Sequence, residues 1–289
     1  MQSTVYNYAD DNTISFIHKD LTIIKETLTK DARSAINWFK ENMMKANPEK
    51  FQIMFLGKNI TSENESINIG EITLKGSKHI NILGIDIDEK LKFDVCVKSI
   101  CDKMSKQINA LLRIKNDIDL KSRRSIYNSY IASNLNYCSI IWMFTSRSNL
   151  KKLDKLNERA LRMIYADDKN SYLELLKRNK TLDIYKMCIN SLCVEMYRIR
   201  NKLAPNYICD LFTLSQNQAY DFRDDNNFSL PKFNTKTFGY RCMSYIGVKV
   251  WTNLDVNIKK INCLKKAKDR IKIWIEKHEN TENFINAYF

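Results

Sequence analysis

Val5-Tyr6-Asn7-Tyr8-Ala9-Asp10-Asp11-Asn12-Thr13-Ile14-Ser15-Phe16-Ile17-His18 is the stretch on which the fold turns. Val5 to Tyr8 and Thr13 to His18 read as two short strands, with Ala9-Asp10-Asp11-Asn12 as the turn between them. Asp and Asn tolerate the unusual backbone angles that a tight turn demands. Two adjacent carboxylates at such a tip project into solvent, where hard oxygens can share a magnesium shell with water and phosphates. Outward from the hairpin, Ile24, Leu28, Ala32, Ala35, Ile36, Phe39 and Met43 recur at steps of three and four, which predicts one amphipathic helix over Asp20 to Lys45. Asn47-Pro48 ends it. Phe51, Ile53 and Phe55 alternate with Gln52 and Met54 as a strand closed by Gly57. Asn59 to Ser66 is a polar loop, and Ile67, Ile69, Ile72 and Leu74 predict a hairpin around Gly70. Ile80 to Ile87 reads as one further strand with Gly84 inside it, a position that marks a bulge or a close backbone approach.

Beyond Phe93 the pattern becomes helical and basic. Helices are expected over Asp94 to Arg113, Leu120 to Ser133, Ser148 to Ala166, Tyr172 to Asn179 and Leu182 to Lys202, the last ended by Pro205. Ser215 to Asn234 is polar and reads as a linker, Tyr245 to Trp251 is apolar, and Cys263 to His278 reads as a basic amphipathic helix. A second Tyr-Ala-Asp-Asp, Tyr165 to Asp168, has no strand pattern around it and reads as a helix end. Trp142, Trp251 and Trp274 read as core aromatics. Lys98, Lys103, Lys106, Arg113 and Lys115 form one basic cluster. Lys151, Lys152, Lys155, Arg159 and Arg162 form a second, and Lys259 to Lys272 a third. On helices such clusters either track a phosphate backbone or are solvated faces whose stems cover apolar surface.

The 289 residues are 44% hydrophobic and 28% charged, enough for a buried core, and global disorder is not expected. The net charge of +14 points to an anionic partner such as nucleic acid. The same Lys-, Asn- and Ile-rich composition, with 6 Gly and 3 Pro, also follows from an AT-rich coding sequence. The 8 cysteines form no CxxC pair and there are 3 histidines, which argues against zinc. Met1 to Asp11 is polar and acidic, so no signal peptide is expected, and no apolar run is long enough to span a bilayer. A reducing, intracellular compartment fits the free thiols.

The order of these features resembles the late palm motifs of non-LTR (LINE-like) retrotransposon reverse transcriptases. The features are the Tyr8-Ala9-Asp10-Asp11 turn, a helix bearing Trp38 and Asn42, Asn47-Pro48-Glu49-Lys50-Phe51, and Ile82-Leu83-Gly84-Ile85. The resemblance continues through Ser125 to Trp142, similar to a thumb helix pair, and Leu153 to Ile164, similar to an LxxLxxRALRxI segment. It ends on Thr237 to Arg241 and Ser244 to Leu254. It implies an α+β fold: a truncated palm sheet over residues 1–93, a helical thumb and connection over 94–214, and a linker with a basic C-terminal helical region over 215–289. It implies RNA-directed DNA synthesis in the parent polypeptide, with an RNA template and a primer DNA duplex as partners. Magnesium would be held at Asp10 and Asp11, Lys50 would lie near the triphosphate, and Leu83 and Gly84 would grip the primer. Lys98, Lys103, Lys106, Lys151, Lys152, Lys155 and Arg159 would lie along the duplex.

The departures set a further expectation. Such polymerases take another essential aspartate from an earlier palm strand, and no aspartate precedes Asp10 here. The chain as given is therefore expected not to polymerise by itself. A non-catalytic nucleic-acid-binding protein derived from such an element is the alternative.

Overall fold

The computed structural model describes residues 1–215, 227–233 and 239–277. The chain divides into two compact units, Met1–Leu91 and Lys92 onward.

In the first unit β1 (Thr4–Tyr8) and β2 (Asp11–Ser15) form an antiparallel hairpin with Tyr8 opposite Asp11. Asp11 is thus a strand residue, and the turn proper is Ala9-Asp10. Helix α1 (Leu21–Glu41) starts where the Asp20 carboxylate accepts the Thr22 N–H at 2.8 Å, satisfying one of the donors left over at a helix start. Leu21, Ile24, Ala32 and Ile36 pack on a small core of Phe55, Ile67 and Ile69, joined by Ile53, Ile60 and Leu74. Met43, expected on that face, lies past the helix end and is 96% exposed. Asp31 on α1 is buried and accepts the backbone N–H groups of Gln2 (2.9 Å) and Ser3 (2.7 Å), which ties the chain start to the helix.

Strands β3 (Ser66–Ile69) and β4 (Ile72–Lys75) form the expected hairpin, with Gly70 at φ 66°. Two other strand readings are corrected. Phe51 to Phe55 forms no strand: Ile53 makes a single parallel bridge to Gly76, although Phe55 is buried as the alternation predicts. Ile80 to Ile87 is two strands, β5 (His79–Ile82) and β6 (Ile85–Asp88), joined by Leu83 (φ 50°) and Gly84 (φ 79°). Positive φ at both central residues is the signature of the two-residue hairpin turn whose twist matches its strands. Among the described residues the three hairpins are separate two-stranded ladders, so they do not share one continuous palm sheet. Side chains and loops connect two of them. Gly76 passes so close to Ser62 that a Cβ there would lie 2.0 Å from the Ser62 carbonyl oxygen, which only glycine permits. Gln52 Oε1 accepts the Asn81 N–H at 3.1 Å.

The second unit is helical. Its elements are α2 (Asp94–Ile114), α3 (Leu120–Ile126) running through a π turn (Tyr127–Ile131) into α4 (Ala132–Asn136), α5 (Ser139–Trp142) and α6 (Arg147–Tyr165). They continue with α7 (Tyr172–Asn179), α8 (Ile184–Arg200), α9 (Asn206–Cys209), α10 (Met243–Asn253), α11 (Val256–Lys259) and α12 (Leu264–Glu276). Met104, Ile108 and Leu111 of α2 and Leu153, Leu161 and Ile164 of α6 are buried at helical spacing, as the periodicity predicts. Trp142 and Trp251 are fully buried. Helix α8 is buried nearly all round because α5, α6, α10 and α12 pack against it. Residues 216–226 and 234 of the expected linker lie outside the described residues. Its flanks are paired, with Leu214 bridging Phe228 and the Phe228 ring packing on Phe212 and Trp251.

Candidate functional site

The Asp10-Asp11 tip is built by strand pairing that leaves every residue of β1 exposed, Tyr8 by 67%. Ala9 takes φ 52°, an uncommon value for a residue with a Cβ, and the Asn12 amide donates to the Asp10 carbonyl at 3.2 Å. Both carboxylates are solvent-exposed. Among the described residues no group of three or more His, Cys, Asp or Glu side chains could hold a metal ion. Two neighbouring carboxylates therefore do not by themselves make the octahedral oxygen shell that magnesium requires.

Lys50 ends a short 3-10 turn, Pro48–Lys50, in which the Asn47 side chain accepts the Glu49 N–H at 3.1 Å, and it is exposed. The Gln52 to Asn81 hydrogen bond sets the segment after Lys50 beside the β5–β6 hairpin. Gly84 donates its N–H to Asn81 Oδ1 at 3.0 Å, so Leu83 and Gly84 occupy a hairpin tip and not the interior of a strand. The Asp10-Asp11 tip belongs to a different ladder.

Lys98, Lys103 and Lys106 on α2 and Lys151, Lys152, Lys155 and Arg159 on α6 are all exposed. The two helices pack against each other and run parallel. Near their starts Asn149 Nδ2 donates to Asp94 Oδ1 at 2.7 Å, and a few turns later Arg159 Nη2 donates to Asn109 Oδ1 at 2.8 Å. Lys152 lies close enough to Cys101 of α2 for its charge to act on that thiol; burial nonetheless pushes the thiol pKa up. Of the basic residues, Lys152 and Arg159 thus stand at the contact between the two helices.

Several residues of the basic clusters have other work: besides Arg159, Lys152 donates to Asn149 Oδ1 at 3.1 Å and Lys272 to the Lys180 carbonyl at 2.6 Å. Arg162 grips Glu158 Oε1 at 2.5 Å and 3.0 Å and caps the chain after α6 through the carbonyls of Asp167 and Asn170. Lys259 is only 5% exposed, with its ammonium 5.7 Å from the Trp251 ring and 3.0 Å from Asn227 Oδ1. The second Tyr-Ala-Asp-Asp is the C-terminal end of α6, with Ala166 left-handed at φ 48° and Asp167 accepting the N–H groups of Lys169 and Asn170.

Sequence reading missed a buried polar network beneath α6. Tyr127 in the π turn donates to Asn157 Oδ1 at 2.7 Å, and Asn157 Nδ2 reaches the Tyr172 oxygen at 3.0 Å. Tyr172 in turn donates to Asp154 Oδ1 at 2.9 Å, which also accepts the Ile184 N–H at 3.1 Å. Burial pushes the Asp154 carboxyl up to about 6, helped by the neighbouring Asp183 and opposed by the hydrogen bonds it accepts. Buried Lys186 stands 4.0 Å from Asp183. Nothing in the spacing of these residues announces the network, because its members come from four separate segments. Its hydrogen bonds fix the backbone that carries Lys151, Lys152 and Lys155.

Over 161 residues the chain is 26% identical to "Probable RNA-directed DNA polymerase from transposon BS" of Drosophila melanogaster. The match covers 54% of this chain and 18% of that protein's length. It supports a reverse-transcriptase-like relationship. No family model matches the chain, and no solved structure matches it. No helix among the described residues is long and apolar enough to cross a membrane.

Proposed function

We propose that this chain is the late-palm and thumb portion of a non-LTR retrotransposon reverse transcriptase, and that on its own it binds template-primer duplex without extending it. The carrying observation is the parallel α2–α6 pair, which bears the exposed Lys98, Lys103, Lys106, Lys151, Lys152, Lys155 and Arg159, with a buried polar network beneath α6. Charges held on helices can follow phosphates, and phosphate contacts position a protein without reading bases. In the longer polypeptide Asp10 and Asp11 would supply part of the magnesium site, a further carboxylate coming from another segment. The metal there would neutralise charge on the reacting phosphates. Lys50 and the Leu83-Gly84 tip, linked through Gln52 and Asn81, would face nucleotide and primer. Two carboxylates are fewer than the oxygen ligands a magnesium shell takes, which favours the non-catalytic reading of the isolated chain.

The test is fluorescence anisotropy with a labelled RNA·DNA hybrid and a second hybrid of scrambled sequence. Binding of both within about threefold of each other, weakening steeply with salt, supports the proposal. A folded chain that binds neither at low salt refutes it.

A further inference from the structure

A second phosphate-binding track is built into the first unit. A groove of about 590 Å³ runs between α1 and strand β3. One wall carries two neighbouring rows of α1, Lys25-Thr29-Arg33-Asn37 and Glu26-Lys30-Ser34, both at the four-residue spacing that stacks side chains along a helix. The other wall is the free edge of β3. Ile67 and Ile69 exchange backbone hydrogen bonds with β4 in a hairpin closed at Ile69 and Ile72, so the backbone groups of Ser66 and Asn68 point outward, into the groove.

Three features define what fits. First, the groove carries a net positive charge. Lys25 is engaged by Glu65 at 2.5 Å, and the exposed Lys30 and Arg33 outweigh the exposed Glu26 by one charge. Arg33 spends one N–H on the Asn68 carbonyl at 3.3 Å and keeps the rest of its five-donor fork. Second, that same bond occupies the outward Asn68 carbonyl, which an added peptide strand would need. Strand addition by an acidic peptide is thereby disfavoured. Third, none of the groove residues is aromatic, so no ring is present on which a base could stack. Hydroxyls, two side-chain amides, a guanidinium and an ammonium, beside the single carboxylate of Glu26 and without a stacking platform, suit a sugar-phosphate backbone.

We propose that the α1–β3 groove binds the phosphates of a single nucleic-acid strand, with Lys30 and Arg33 as the principal contacts. This rests on the reading of the chain as a nucleic-acid-binding protein but uses residues separate from the α2–α6 face, so the two can fail independently.

The experiment uses the full 289-residue chain and a labelled oligothymidylate, with affinity followed across stepped salt. Single strands release about 0.7 of a counterion per neutralised phosphate. The expected result for Lys30→Gln with Arg33→Gln is about a fivefold or greater loss of affinity and a slope lower by about 0.7 to 1.4. A Lys151→Gln, Lys152→Gln, Lys155→Gln variant should instead lose duplex affinity and keep that for the oligothymidylate. Lys30→Gln alone, which removes no hydrogen bond to the fold, guards against misfolding and should give about half of the slope change. Protection of Lys30 from acetylation by the oligothymidylate, and not by inorganic phosphate at equal phosphate concentration, would place a strand in the groove. Unchanged affinity and slope in both α1 variants would overturn the proposal. Competition by polyglutamate, with no effect of the variants on oligothymidylate binding, would overturn it in favour of an acidic protein partner.

Discussion

Leu83 and Asp154 show how a single residue can carry information that its letter hides. Leu83 sits at φ 50° in a two-residue hairpin turn, a conformation that costs a β-carbon-bearing residue about 1–2 kcal/mol and suits Asn far better. Its leucine side chain fits the alternating run Ile80 to Ile87, and for that reason the run reads as one strand. The turn is legible only from Gly84, half of its signal. We predict that Leu83→Asn raises stability by about 0.5–1 kcal/mol, measured as a shift in the urea midpoint at constant slope. A loss of stability would mean that Leu83 packs in a way the turn geometry does not account for.

Asp154 has a folded-state pKa of about 6 against an ordinary 3.8, because it is buried and near Asp183, with Glu158 on its own helix and Tyr172 from α7 beside it. The folded state therefore binds more protons than the unfolded chain between about pH 4 and 6. Stability contributed by this group is present at the acid end, falls as pH rises through that window and is flat above it. About two pKa units correspond to about 3 kcal/mol at most. Asp154→Asn keeps an oxygen to accept from Tyr172 and Ile184 while removing the charge. The variant should flatten the pH dependence of the denaturation midpoint between pH 4.5 and 7. An unchanged profile would assign the titration to another group.

At the scale of elements, helices were legible and small sheets less so. Helices α1, α2 and α6 follow from apolar residues at steps of three and four, and each begins or ends near the residue that the sequence marks. The hairpin β3–β4 follows from alternation around Gly70. Phe51 to Phe55 alternates equally well but finds only a one-residue bridge, since alternation states which face is buried and says nothing about whether a partner strand is there. The π turn was illegible, as its cause is tertiary: it sits where buried Tyr127 reaches across to Asn157 on α6. Tyr127→Phe would leave the Asn157 oxygen buried without that donor. The expected cost is about 1–3 kcal/mol, read from thermal or urea unfolding. A change below about 0.5 kcal/mol would show that the network does not brace α6.

At the scale of the whole molecule, the tip that most sharply marks the sequence is exposed to solvent. Asp10 and Asp11 are exposed on a two-stranded ladder, whereas the basic α6 stands on a network reaching α7, α8 and the π turn. Metal chemistry depends on ligands that converge; duplex binding depends only on charges that are held apart at the right places. The isolated chain with magnesium, primed RNA template and deoxynucleotides should therefore give no extension above its Asp10→Ala variant. Template-dependent synthesis that disappears in that variant would mean the metal site is more complete than two carboxylates. The spacing of the basic residues was legible in sequence, but which of them are free was not. Arg162 and Lys259 lie in the same runs yet are absorbed into the fold, and only the Glu158–Arg162 spacing of four hinted at this.

The central claim is that the α2–α6 face holds duplex by its phosphates, and the salt dependence of affinity tests it most directly. Anisotropy titrations of an RNA·DNA hybrid would be run from low to moderate salt for the parent chain and for Lys151→Gln, Lys152→Gln, Lys155→Gln. Thermal midpoints would confirm that both remain folded. For B-form duplex the slope of log affinity against log salt is about −0.9 per phosphate contacted. The expected slope in the variant is flatter by about two to three, with affinity for both hybrid sequences reduced alike. A variant whose slope and affinity match the parent's would contradict it.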